Sequence, residues 1–239
     1  MPTRTASRPL SARSVVLSLL LGAHPPELPT RELIRAADGF GIRSATLRVA
    51  LSRMVTAGDL TRTATGYRLA DRLLARQRRQ DEAIDPRTIR WHGDWELAVI
   101  TATGRSAAQR AELRADLGGL RLAELREGVW LRPANLRRRW PDRLETTSLR
   151  LRARSDHPES LAASLWELDG WAREANAVLR GFRDAREPAR RLAAAAAIVR
   201  HLSTDPVLPK ELLPDDWPAD ELRAAYADYR DELIAVART

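Results

Sequence analysis

The stretch FGIRSATLRVALSRMVTAGDLTRTATGYRL, residues 40–69, predicts a helix with two unlike faces followed by two short strands. At about 100° per residue, Leu47, Leu51 and Met54 fall on one side of a helix over residues 42–55. This apolar spacing predicts that one side of the helix packs on the helices that precede it.

The opposite side of this helix is centred on Ala45 and Val49, and residues 41–58 contain no acidic side chain. Small central residues let a helix approach base edges, where Ala or Val can contact a thymine methyl group and Arg can reach guanine. The residues expected to contact DNA from this helix are Arg43, Ser44, Thr46, Arg48, Ser52 and Arg53. An amphipathic helix of an ordinary helical bundle would show part of the same pattern. The segments on either side of the helix are therefore needed to distinguish the two interpretations.

The segments before this helix favour DNA binding. Residues 11–22 form an apolar-periodic helix with Gly22 at its C-terminal end, and residues 30–38 form a second short helix. A loop with three prolines separates the two. Two short helices and a third with an arginine-bearing face make up a helix-turn-helix order.

The segment after the helix predicts a small β wing. Residues 59–64 alternate as a strand, Gly66 lies in a tight turn, and residues 67–69 form a returning strand. The wing presents Arg62 and Arg68, which we expect to contact phosphates or the minor groove. The N-terminal part of the chain is therefore predicted to be a winged helix-turn-helix.

The distribution of charged residues along the chain is more informative about function than their total number. The chain of 239 residues has a formal net charge of +8, and Lys210 is the single lysine among 40 basic residues. Arginine-rich usage of this kind follows from a GC-rich genome whatever the function, but residues 1–80 combine many arginines with few acids, whereas the C-terminal quarter is acidic. This asymmetry favours an anionic partner for the N-terminal part.

The same composition excludes several site classes. The chain has no cysteine, which excludes disulfides, thiol nucleophiles and thiolate metal sites. No apolar run reaches the roughly 18 residues needed to span a bilayer, so we expect a cytoplasmic protein with no membrane partner.

The rest of the chain predicts a small α+β domain and then a helical domain. A basic helix over residues 72–84 precedes a continuously apolar, buried strand (ELAVIT, residues 96–101), a helix from about Ser106, two short strands, a short helix and a strand over residues 144–153. Three helical segments follow, over residues 160–183, 189–202 and 220–236. The predicted division is 1–72 for DNA binding, 73–90 as a connecting helix, 91–155 for the α+β domain and 156–239 for the helical domain.

Several local strings resemble the PaaX family of bacterial transcriptional repressors, and the resemblance covers nearly the whole chain. The strings are GIRSATLRVALSRM (residues 41–54), GDL (58–60), W-x-G-x-W (91–95), EGVWLRP (127–133), LWELDGW (165–171) and DPVLPKELLPDDWP (205–218). One departure is the alanine run at residues 193–197, where family members often carry a His-Glu-aromatic stretch.

The resemblance implies an α+β multidomain protein with a winged helix-turn-helix, a central ferredoxin-like domain and a C-terminal helical domain for effector binding and dimerisation. It implies a homodimer that binds a palindromic operator in double-stranded DNA and represses a catabolic operon. An acyl-CoA thioester such as phenylacetyl-CoA would release the DNA. We take Trp166, Trp171, Arg200 and Trp217 as candidate effector contacts, with core packing as the alternative for the tryptophans.

The sequence argues against an enzyme and against a nonspecific binder of nucleic acid. The four histidines are scattered, and no metal-binding, phosphate-binding or nucleophile motif is present, so we expect no enzyme, no catalytic residue, no metal and no cofactor. A metal-dependent nuclease of ferredoxin-like type would need an Asp at the end of the first central strand, where the sequence has Ile100-Thr101-Ala102-Thr103. A sequence-nonspecific binder would carry interleaved aromatics for base stacking, but residues 1–80 hold only Phe40 and Tyr67. A constitutive DNA-binding protein without an effector remains the other alternative.

Overall fold

The computed structural model describes residues 10–238, which form two compact units that are discontinuous in sequence. Unit 1 comprises the described residues up to 85 together with residues 174–204 and 218–238, and unit 2 comprises residues 86–173 and 205–217. Residues 1–9 of the first predicted segment and Thr239 lie outside the described residues. The four consecutive segments predicted above stay a prediction, because each spatial unit combines pieces of several of them.

The N-terminal part of unit 1 contains three helices and a three-stranded antiparallel sheet. The elements are α1 (Ala12–Gly22), β1 (Glu27–Pro29), α2 (Thr30–Asp38), α3 (Ser44–Thr56), β2 (Leu60–Arg62) and β3 (Gly66–Leu69). Helix α1 begins after Ser11, whose hydroxyl accepts a hydrogen bond from the Ser14 backbone N–H, and α3 ends before Gly58, which has a φ of 68°. The apolar stripe of α3 is fully buried, as its spacing predicted, with Leu47 and Leu51 at 0% exposure.

Strand β1 was not predicted from the sequence, which indicated a proline-containing loop there. Leu28 pairs with Tyr67, and Pro29 pairs with Gly66, so β3 becomes the central strand in the order β1-β3-β2. A Cβ atom on Gly66 would lie 2.0 Å from the Leu28 carbonyl oxygen, so only glycine permits this approach. A three-residue strand with proline at its end has too weak a pattern to recognise, and only its pairing with β3 defines it.

Four further helices complete unit 1, although the first turn of one of them belongs to unit 2. They are α4 (Asp71–Ile84), α8 (Leu168–Asp184), α9 (Pro188–Leu202) and α10 (Ala219–Arg238). Helix α10 packs on α9, α2 and α1. Helix α4 is held to α1 by the buried side-chain amide of Gln77, which donates to the carbonyl oxygens of Leu20, Leu21 and Ala23.

Unit 2 is built on a four-stranded antiparallel sheet with the order β5-β6-β4-β7. Its elements are β4 (Asp94–Ile100), α5 (Ala107–Gly119), β5 (Ala123–Arg126), β6 (Val129–Pro133), α6 (Asp142–Glu145), β7 (Ser148–Arg154) and α7 (Pro158–Leu165). Ser106 and Gln109 form a capping box at the start of α5, which confirms the predicted cap. One apolar cluster joins Ala98 and Trp130 to Leu117 of α5, and a second joins Trp95 and Leu131 to α7 and to the segment of residues 208–213.

Two features of unit 2 differ from the sequence-based expectations. The segment over residues 160–183 was expected to be one helical stretch, but it is divided between α7 and α8, with Trp166 in an extended conformation. Strand β4 was expected to be continuously apolar, yet Glu96 is 4% exposed at its centre. The Glu96 carboxylate accepts hydrogen bonds from Arg138 at 2.6 Å and from Arg150 at 3.2 Å, which compensates its burial.

Candidate DNA-binding surface

The face of α3 opposite its buried stripe is exposed along the whole helix. The helical residues predicted to contact DNA, Ser44, Thr46, Arg48, Ser52 and Arg53, are all exposed, as is Arg43 directly before the helix. Ala45 and Val49 lie between them, and Val49 is 51% exposed although it is apolar. The helix therefore presents small and apolar side chains flanked by arginines and hydroxyls.

The arginines of this face carry uncompensated charge. Within residues 10–238, Arg43, Arg48 and Arg53 form no ion pair and no side-chain hydrogen bond with another residue. An arginine that is left exposed without an acidic neighbour keeps its five N–H donors free for phosphate or base acceptors. The predicted contact residues thus share one face and one sign of charge.

A buried carboxylate holds the C-terminal end of α3. Asp59 is 2% exposed and accepts two hydrogen bonds from Arg13 of α1, at 3.2 and 3.0 Å, and one from Arg72 of α4. Arg72 also donates to the carbonyl oxygens of Ala57 and Gly58, just after the helix ends. These bonds tie α1, α3 and α4 together, and so they orient the exposed face of α3.

Sequence reasoning missed this role of Asp59, Arg13 and Arg72. The signal available was a single acid directly after an acid-free helix, in the string GDL. Its two arginine partners lie 46 and 13 residues away along the chain, which no local pattern connects.

The two arginines predicted for the wing lie on its exposed side. Arg62 lies on β2, where its guanidinium donates to the Tyr67 hydroxyl at 3.3 Å and lies 5.8 Å from the centre of the Tyr67 ring. Arg68 lies on β3, is exposed, and has no ionic partner in the part of the chain that the structure describes. In the turn between the strands, the Thr63 hydroxyl accepts from the Gly66 backbone N–H at 3.1 Å. The wing therefore adds two exposed cations to the unit that carries α3.

Comparison with known proteins identifies the family to which the chain belongs. Residues 11–73 match the model of the PaaX-like protein, residues 88–162 match that of the PaaX protein central Cas2-like domain, and residues 167–239 match that of the PaaX-like protein C-terminal domain. The chain belongs to the PaaX-like family. Members of this family are regulators of transcription rather than enzymes.

A solved structure supports the same relationship across the whole length of this PaaX-like chain. It is described as "Uncharacterized protein Rv0674 from Mycobacterium tuberculosis", is 51% identical in sequence and superposes with a TM-score of 0.86. The match covers 95% of this chain and 97% of that chain. A search of curated proteins gave no match.

Two of the PaaX-like strings have a structural role in unit 2. Arg132, from EGVWLRP, is completely buried, and it donates to the carbonyl oxygens of Pro206 and Val207 in the string that begins at Asp205. Val207 has a positive φ of 51°, and the side-chain amide of Asn135 also donates to its carbonyl oxygen at 3.0 Å. Burial lowers the pKa of Arg132 to about 9, so the guanidinium stays charged at neutral pH. These strings fasten the 205–217 segment to the sheet.

The candidate effector residues of this PaaX-like chain are divided between the two units. Trp171 and Trp217 stack with ring centres 4.4 Å apart, and Trp166 stacks on Trp95 at 6.5 Å; all four belong to unit 2. Arg200 belongs to unit 1, where it lines a cavity. Stacking of this kind fits the alternative of core packing for the tryptophans, and their contact with an effector stays a prediction.

The described residues contain neither a metal-ligand cluster nor a helix that could span a membrane. Over residues 10–238, no three His, Asp or Glu side chains are grouped as metal ligands would be. Asp94 is the first residue of β4, and its carboxylate accepts a hydrogen bond from Arg154 at 2.7 Å. Among the described helices, none is long and apolar enough to cross a bilayer.

Proposed function

We propose that this PaaX-like protein is a dimeric repressor that binds double-stranded DNA through α3. The observation that carries the proposal is the exposed face of α3, on which Arg43, Arg48 and Arg53 have no acidic partner among the described residues and surround the small residues Ala45 and Val49. Arginine reads guanine, and small apolar side chains read the thymine methyl group. Helix α9 is also acid-free and has a buried stripe, but its Arg190 and Arg191 pair with Glu187 and Glu232, whereas the arginines of α3 have no such partner among the described residues.

The element order supports the domain types in the proposal. Helices α1 to α3 and strands β2 and β3 have the order of a winged helix-turn-helix, with β1 as a third strand beside the wing. In unit 2, the order β-α-β-β-α-β with strand order β5-β6-β4-β7 supports a ferredoxin-like domain. The helical segments α8 to α10 complete the proposed architecture.

The proposed mechanism places one α3 of each protomer in successive major grooves of a palindromic operator, with half-sites about one or two helical turns apart. Arg48 and Arg53 would contact bases, with Ser44, Thr46 and Ser52 contacting bases or phosphates. Arg62 and Arg68 of the wing would contact flanking phosphates. Phosphate contacts fix the register and base contacts supply the sequence preference.

Release from DNA is proposed to follow binding of a small-molecule effector, for which the family resemblance implies an acyl-CoA thioester such as phenylacetyl-CoA. The effector would bind more tightly to a dimer whose half-site spacing does not fit the operator, and so would shift the population away from the DNA-bound form. The regulated genes would form a catabolic operon, and the protein would act in the cytoplasm.

The test is DNase I footprinting on the region upstream of the protein's own gene. We expect a protected palindrome, a dimer by analytical ultracentrifugation, and loss of protection when phenylacetyl-CoA is added. A scrambled fragment of equal length and composition is the control. Equal protection of both fragments would contradict specific binding, and protection that survives a panel of acyl-CoA thioesters would instead support a constitutive regulator.

A further inference from the structure

A cavity of about 130 Å³ lies inside unit 1, where α1, α4, α9 and α10 meet. Its walls are mainly apolar and include Leu192 and Ala195 of α9 and Leu233 of α10. An apolar cavity of about 150 Å³ holds a benzene molecule. The space therefore fits one aromatic ring or a branched aliphatic chain of similar size.

The polar lining of the cavity has a single sign of charge. Arg76, Arg200 and Arg230 line it, and no acidic residue does. Arg230 is paired with Asp231 at 3.0 Å, but Arg76 and Arg200 have no carboxylate partner anywhere in residues 10–238. Two free guanidinium groups beside an apolar space are suited to a ligand that ends in an anion.

A tyrosine adds an unused hydrogen-bonding group. Tyr229 lines the cavity and is 6% exposed, and its hydroxyl makes no hydrogen bond to any described residue. Burial raises the pKa of Tyr229, so the hydroxyl stays protonated and can donate. Tyr226, beside it on α10, already accepts a hydrogen bond from Gln80 at 2.8 Å.

We propose that this cavity binds a small monocarboxylate, with its ring or branched chain between α1, α9 and α10 and its carboxylate at Arg76 and Arg200. The Tyr229 hydroxyl would donate to the same ligand. The thioester group of an acyl-CoA is neutral, and its anionic phosphates belong to a coenzyme that is far larger than the cavity. The inference rests on the proposed regulatory function and adds a free acid, as the ligand of this cavity, to the acyl-CoA effector proposed above.

The position of the cavity explains how a ligand would affect DNA binding. Its wall includes Ser18, Leu21 and Gly22 of α1, and α1 also packs on α3. Helix α10, which forms another wall, packs on α2 as well. A ligand that moves α9 or α10 would therefore act on two helices that support α3.

Ligand binding is tested first without DNA, which keeps it independent of the proposed function. We expect sodium benzoate to bind the full chain in isothermal titration calorimetry with one site per protomer, and benzyl alcohol, a neutral compound of similar size, to bind at least tenfold more weakly. Equal affinity for the two compounds would overturn the role of the arginines. Binding of benzoyl-CoA with no binding of benzoate would overturn the assignment to a free acid.

Three variants of lining residues and two control variants locate the site. Ala196→Leu fills the cavity lining, and we expect it to abolish benzoate binding, whereas Ala193→Leu, exposed on the same helix, leaves it unchanged. Arg200→Gln and Tyr229→Phe are expected to weaken benzoate at least fivefold, whereas Arg190→Gln, also exposed on α9 but outside the cavity, is the control with unchanged affinity. Unchanged binding in Ala196→Leu would show that benzoate binds elsewhere and would overturn the proposal.

Coupling to DNA is measured last, by repeating the footprint with benzoate. Loss of protection in the wild type but not in Ala196→Leu supports the regulatory role of the cavity. Benzoate binding to a protein that shows no specific footprint would retain the site and refute the proposed function. Benzoate binding that leaves a specific footprint unchanged would refute the regulatory part of this inference alone.

Discussion

The arginines of α3 and those of the unit 2 sheet have opposite surroundings. On α3, Arg43, Arg48 and Arg53 are exposed and have no acidic partner among the described residues. At the sheet, Arg138 of the loop after β6 and Arg150 of β7 surround the buried carboxylate of Glu96, and Arg154 pairs with Asp94. The same residue type is therefore a free cation in one region and a compensated structural group in the other.

This contrast explains why the arginine count of the chain is a poor guide to function. A buried guanidinium is tolerated only with hydrogen-bonding partners, and these partners compensate its charge, so it is not available to a ligand. An exposed guanidinium without a partner adds little to stability and remains available to a phosphate or a base. Location and pairing, rather than number, separate the candidate interface from the scaffold.

The largest effect is expected where the pairing is buried. Arg132→Met removes a completely buried guanidinium that donates to Pro206 and Val207 and lies 3.7 Å from Glu96. Breaking a buried ion pair leaves its partners uncompensated, so the free energy of unfolding should fall by about 3–5 kcal/mol. Urea denaturation measures this. Arg154→Ala, exposed on β7, is the control and should change the unfolding free energy by less than about 1 kcal/mol. Equal losses of stability in the two variants would contradict the difference between buried and exposed arginines.

The buried carboxylate of Asp59, which supports α3, is expected to affect both stability and DNA affinity. Asp59→Asn keeps the shape but removes the charge that Arg13 and Arg72 share, and we expect a loss of about 1.5–3 kcal/mol in unfolding free energy. Thermal and urea unfolding measure stability, and DNA affinity measured on the folded variant reports the orientation of α3. A stable variant with wild-type DNA affinity would show that the three-helix connection is dispensable.

On α3 itself the comparison predicts loss of DNA affinity without loss of stability. Arg48→Ala should weaken binding to the protected site by about 1–3 kcal/mol and relax the preference at one base position, because a base-reading contact is lost. Quantitative gel shifts against single-base variants of the site measure both, with Arg154→Ala as an arginine control. Affinity within about 0.5 kcal/mol of wild type would end the base-reading assignment of Arg48.

The smallest effect is expected on the wing. Arg68→Ala should reduce the slope of log affinity against log salt concentration by about one and keep the sequence preference, because one phosphate contact is lost. Fluorescence anisotropy at several salt concentrations measures the slope. Arg62→Ala should behave in the same way, although its contact with Tyr67 gives it a second, structural role. A changed base preference in either variant would contradict the phosphate assignment.

Local periodicity was sufficient for most elements of the fold. The three N-terminal helices, α5 with its capping Ser106, the hairpin of β5 and β6, and α9 all lie within a few residues of their predicted bounds. Each of these elements combines a regular apolar spacing with a cap, glycine or proline at its end, and both signals are local. Strand β1 and the break between α7 and α8 lacked such signals.

The sequence by itself determined that α3 has one apolar face and one acid-free, arginine-bearing face, because a helix converts spacing directly into position. It also carried the PaaX-like strings. Only the tertiary structure decided that Asp59 joins three helices, that Glu96 is buried among arginines, and that α9 and α10 pack with α1 and α4 around a cavity. Those features depend on side chains far apart in the chain, and burial and ion pairing are defined only once folding brings such partners together.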